Sequence, residues 1–142
     1  MRAFPQAMPV GALLALFVLL LGCLPAVAAG RPESYKAVSV AVPRRTSADT
    51  ALRLRVEAGP LPRGARLLVA LPGGHAVGMI EPFGAHAARQ GGSYVLPLPE
   101  PLPGGDTLTV HVTLEERPGG ARRAPSGEEL KEIQVLLVPV RR

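Results

Sequence analysis

Three residues of this chain have the chemistry of metal ligands. His75 and Met79 stand four apart and His86 follows by seven. Two imidazoles and a thioether form a donor set that suits copper in an oxidising compartment. His111, the third histidine, falls at an outward position of an alternating segment, and ordinary surface histidines are the competing reading for all three. Nucleophilic catalysis finds less support. After the first thirty residues the serines are Ser34, Ser39, Ser47, Ser93 and Ser126, and none sits in a Gly-x-Ser-x-Gly elbow. The carboxylate pairs Glu115-Glu116 and Glu128-Glu129 bracket Arg117, Arg122 and Arg123, and read as solvated hairpin ends around a basic loop. That loop offers a surface to an anionic partner, or is simply hydrated. Gly73-Gly74, Gly91-Gly92, Gly104-Gly105 and Gly119-Gly120 follow no strand-to-helix pattern of the kind that cradles phosphate. No catalytic constellation emerges, and no cofactor is implied.

The amino terminus carries a different kind of chemistry. Arg2, the apolar run Gly11 to Leu21 and the small-residue pattern Ala26-Val27-Ala28 have the three parts of a secretory signal peptide, cleaved after residue 28. Leu20-Leu21-Gly22-Cys23 resembles a bacterial lipobox, in which Cys23 is lipidated and becomes the first residue of the mature chain. The two readings give a soluble exported protein or one tethered by two buried acyl chains. A retained membrane helix is disfavoured because the run breaks at Pro25, short of the ~20 residues needed to span a bilayer.

Residues 29–142 have the length of one domain. No cysteine follows Cys23, so no disulfide can form within them, and Tyr35, Phe83 and Tyr94 are their only aromatics. The core must therefore be aliphatic. The whole chain has 16 Lys and Arg against 11 Asp and Glu, but its basic residues lack the helical stripe or aromatic interleaving of a nucleic-acid surface.

Apolar residues recur with period two almost throughout, which predicts strands over residues 35–42, 51–58, 66–71, 76–80, 93–98, 106–115 and 129–140. In the second, Leu52, Leu54 and Val56 face a core while Arg53, Arg55 and Glu57 face water. Pro97 and Pro99 place the 93–98 strand at a sheet edge, or fall at its last residues. Residues 81–92 read as a surface loop and 116–127 as a long, mobile hairpin loop. The last strand, apolar on both faces, is expected to be buried on both sides or to bend at Pro139.

Seven short strands and no convincing helix predict an all-β fold, an antiparallel sandwich. The strands Leu52-Arg53-Leu54-Arg55-Val56, Leu68-Val69-Ala70-Leu71 with its Pro72-Gly73-Gly74 turn, and Leu108-Thr109-Val110-His111-Val112 resemble the immunoglobulin-like and fibronectin type III-like domains of exported bacterial proteins. The resemblance implies a module for adhesion, spacing or assembly, and carries over no site residue. The paired cysteines and buried tryptophan of antibody domains are absent, which leaves strand order open. The expectation is an exported, non-enzymatic module in the periplasm or cell envelope, or alternatively outside the cell. It would meet another envelope or secreted protein through the edge at Ser93, Tyr94 and Val95 or the loop at Arg117, Arg122 and Arg123. The alternative is a periplasmic copper carrier using His75, Met79 and His86.

Overall fold

Among the described residues, eight strands and one short helix follow in the order β1 (Lys36–Ala41), β2 (Thr50–Ala58), β3 (Arg66–Leu71), β4 (His75–Ile80), α1 (Gly84–Gln90), β5 (Gly92–Pro97), β6 (Thr107–Glu115), β7 (Arg122–Arg123) and β8 (Leu130–Pro139). They come from a computed structural model that describes residues 34–45, 47–102 and 105–140. Seven of the strands are those the alternation predicts. The described residues all fall within one unit, Pro32–Arg142. The leader motifs, Cys23 and the Ala26–Ala28 site among them, lie outside the described residues.

The strands pair antiparallel into two sheets. One runs β1-β6-β3-β4, with β7 also on β6; the other runs β5-β2-β8. β3 already pairs with Glu115, so β7 must lie on the opposite flank of β6, in line with β1. In the immunoglobulin plan the first strand lies beside the second and the last beside the sixth. Here the terminal strands are exchanged: β1 adds to β6 and β8 adds to β2.

Alternation explains the core. Leu52, Leu54, Val56 and Ala58 of β2 face Leu67, Val69 and Leu71 of β3 and Leu108, Val110, Val112 and Leu114 of β6, all buried. Full burial of one such aliphatic side chain contributes about 1.5–3 kcal/mol. β8 departs from its double-sided expectation. Ile133 and Val135 are buried, but Leu136 is only half-buried and Val138 is exposed, because no element among the described residues covers the outer face of its sheet.

Residues 84–90 form a helix where a surface loop was expected. Alanine-rich composition favours it, Arg89 complements its carboxyl end, and Gly91 stops it. Gly91 has φ 76°, and its N–H donates to the Ala87 carbonyl at 3.0 Å. The Leu61 N–H also donates to the Ala88 carbonyl at 2.9 Å, fixing the helix beside the end of β2. A seven-residue helix without an apolar stripe leaves no periodic signal in sequence.

Gly59, just after β2, supports the turn that leads into β8. Its N–H donates to the Glu129 carbonyl at 3.0 Å, and a Cβ placed on it would lie 1.7 Å from the Glu128 carbonyl oxygen. Gly59→Ala is expected to lower unfolding free energy by about 2–3 kcal/mol in urea denaturation, because backbone on both sides must move. Gly127→Ala, with nothing within 4 Å of the added carbon, should stay within about 0.5 kcal/mol of the parent.

Candidate functional site

The charged residues that bracket 117–123 do not form the open, solvated loop expected of them. Cross-strand register places Arg66 of β3, Glu115 of β6 and Arg122 of β7 in one row on the outer face of the larger sheet. The Glu115 side chain is only 1% exposed, beneath two arginines. Arg66 donates through Nε to Glu115 Oε2, and Arg122 donates through Nε to Oε1 at 3.1 Å. The Arg66 hydrogen bond, aided by Arg122 and opposed by burial, holds the Glu115 carboxyl below its ordinary range.

A second cluster closes the same segment. Arg123 grips Glu129 with two hydrogen bonds of 2.8 and 2.6 Å, and its Nε lies 3.7 Å from Glu116. The Ser126 N–H donates to the Glu129 carboxylate at 2.8 Å, and the Glu129 N–H donates back to Ser126 Oγ at 3.2 Å. This is a capping box around a single turn, completed by the Leu130 N–H on the Ser126 carbonyl at 3.0 Å. Arg123, then the Ser126 amide, bring the Glu129 carboxyl down to about 2 against burial, and Glu129 raises the Arg123 pKa. Arg122 and Arg123 are therefore structural ion-pair partners, and Ser126 is a cap. Arg117 is exposed in a turn closed by the Gly120 N–H on its carbonyl at 2.7 Å.

The other expected site residues are dispersed. His75 is exposed at the start of β4, Met79 is 47% exposed four residues along it, and His86 is exposed on α1. A rise of about 3.3 Å per residue separates the first two by roughly 13 Å of extended strand. No group of three or more His, Cys, Asp or Glu able to hold a metal occurs among the described residues. Ser93, Tyr94 and Val95 lie on β5, the end strand of the smaller sheet. Tyr94 packs against the core, while Val95 is 54% exposed.

The two lateral sides of the sandwich differ. On one, β1 and β8 lie side by side, and Lys36 and Lys131, the chain's two lysines, line the seam between them. On the other, β4 lies beside β5 where Leu96 packs against Gly78, and neither strand contains an Asp, Glu, Lys or Arg.

An open cleft of about 670 Å³ occupies the outer face of the larger sheet. Ala70 and Ala76, a register pair, leave low ground beside Leu68. Tyr35 stacks on His111 with ring centroids 4.2 Å apart and planes at 17° along one margin. Met79 and Arg122 also line the cleft. Sequence reasoning passed over Tyr35, Leu68, Arg66 and this use of His111. Leu68 did leave a signal, a large apolar residue at an outward position of an alternating strand.

Both lowered carboxyls have native values below their unfolded ones. The stability they confer is therefore complete above the unfolded carboxylate value of about 4.3 and is lost as pH falls through each lowered native value, about 2 for Glu129. Thermal melts should show a flat midpoint above about pH 5 and a steep acid decline. Glu129→Gln should flatten that decline, and Glu115→Gln should lower the midpoint at pH 7 far more than Glu116→Gln.

Compared with protein-family models, curated proteins and solved structures, the chain matches none of them.

Proposed function

We propose that this chain is an exported, non-enzymatic β-sandwich that binds another envelope or secreted protein by accepting its strand along β5. The observation that carries the reading is the character of that edge. β5 ends its sheet, has no charged residue, and presents Val95 at 54% exposure. Unpaired main-chain groups along such an edge give affinity to an added strand, and alternate side chains give it register. The opposite side has lysine on both edge strands, a usual guard against edge pairing. Phe83, 87% exposed just before α1, adds a large apolar contact from the segment that links β4 to β5.

The leader supports export, since Arg2, the Gly11–Leu21 run and Ala26–Ala28 have the order that secretion requires. Cys23 offers lipid tethering to the envelope as one form of that export. No helix among the described residues is long and apolar enough to cross a membrane. A protein-binding role needs none of the spread-out histidines, serines or carboxylates to converge.

Photo-crosslinking in the native host tests both parts. A benzophenone amino acid at Ser93 or Val95 should give one discrete adduct, and one at Ser39 on β1 should give none. Val95→Glu, which places a carboxylate opposite Arg55 on β2, should keep the fold and abolish the adduct. Adducts from Ser39 alone, or undiminished in the Val95→Glu variant, would overturn the edge assignment. Intact mass from membrane and soluble fractions should begin at a lipidated Cys23 or near Ala29; an uncleaved leader would overturn export by signal peptide.

A further inference from the structure

We propose that the cleft on the outer face of the larger sheet is a binding site for a small aromatic carboxylate. It is independent of the β5 edge, which belongs to the other sheet. At about 670 Å³ its volume lies within the range of small-molecule sites, and its lining is mostly apolar.

The class of ligand follows from the side chains at the margin. The Tyr35–His111 stack presents a flat, rigid aromatic wall, and aromatic rings gain from offset or edge contact with such a wall. Met79, the only methionine among the described residues, lines the cleft with a thioether, which makes favourable contacts with aromatic rings. At 47% exposure, its side chain is open to a ligand in the cleft. Leu68 and Ala70 supply apolar ground beside them.

The preference for an anion follows from charge. Arg66 and Arg122 share the single Glu115 carboxylate, so this row carries one net positive charge, and among the described residues no Asp or Glu lines the cleft. Glu116, the next carboxylate along the chain, faces Arg123 at 3.7 Å. Arg122 commits Nε to Glu115, and its side chain is 58% exposed while lining the cleft. Its terminal nitrogens are placed to donate to a second carboxylate, the geometry in which a guanidinium binds most strongly. Glu115 orients that guanidinium in advance, so little side-chain freedom remains to be lost on binding. An aromatic body against the wall with its carboxylate on Arg122 satisfies both features.

Titration of the intact protein with 2-naphthoate and its uncharged isostere 2-naphthamide tests the proposal, with the Met79 methyl and His111 ring protons as NMR probes. Naphthoate should move the Met79 methyl upfield in a saturable way and bind about tenfold more tightly than naphthamide. Arg122→Gln should lower naphthoate affinity to that of naphthamide and leave naphthamide unchanged. Ala70→Leu fills the cleft without touching Glu115 and should abolish binding of both, which keeps the test intact if Arg122→Gln fails to fold. No saturable shift at Met79, equal affinities for the two probes, or parental affinity in Ala70→Leu would each overturn the proposal.

Discussion

Aliphatic side chains on the inner faces of β2, β3 and β6 hold this protein together, and the rest of the structure is arranged around their packing. The described residues offer no disulfide to brace the sheets and only three aromatics, one of which, Phe83, lies in solvent. The two nine-residue strands, β2 and β6, carry the load. β6 pairs with β1, β3 and β7, while β2 pairs with β5 and β8. Leu54, Val56, Val110, Val112 and Leu114 have no solvent exposure. Leu, Ile and Val pack as densely as an organic crystal only when rows interdigitate, so each inner residue fixes the register of the strand opposite.

That register reaches the outer surface. A one-residue slip between β3 and β6 would turn the inner leucines and valines outward. It would also separate Arg66 from Glu115. The buried carboxylate is tolerated because two guanidiniums replace the water it lost. It secures the two-residue strand β7, too short to hold its place by ladder hydrogen bonds alone. The Arg123–Glu129–Ser126 cluster then ties the following turn to β8, and Gly59 allows the backbone of that turn to approach the end of β2. A segment that looks polar and loose is thus fastened at each end by charge-assisted hydrogen bonds.

Exchanging the terminal strands gives the sandwich two unlike flanks. β1 and β8, the first and last strands, meet along one flank with both lysines. β4 and β5 meet along the other, where polarity comes only from backbone, His75 at one strand end, and the hydroxyls of Ser93 and Tyr94. Strand edges are adhesive by default because their main-chain groups lack partners; charge guards one flank and is absent from the strands of the other. The outer face of the larger sheet adds a third kind of surface, an aromatic and thioether cleft with a cation at its margin.

Period-two patterning determined every strand but β7, their inward residues and the all-β class, because alternation is a local property that burial on one face imposes on a strand long enough to show it. Pro97 is both the last residue of β5 and on the end strand of its sheet, so it satisfies each of the two positions its missing N–H allows. The Ser126-x-x-Glu129 spacing matches a capping box, a local signal that the loop reading of 116–127 passed over, whereas the grip of Arg123 on Glu129 left no signal of that kind. Tertiary structure alone decided which strands pair, that β1 and β8 exchange sheets, and that Arg66, 49 residues from Glu115 in sequence, lies against it. The same holds for Tyr35 and His111, which stack only because β1 lies beside β6. Long-range pairing depends on how whole faces fit, and identical alternating strands are compatible with many orders. The chemistry between sheets and across rows therefore becomes visible only once the fold has chosen one.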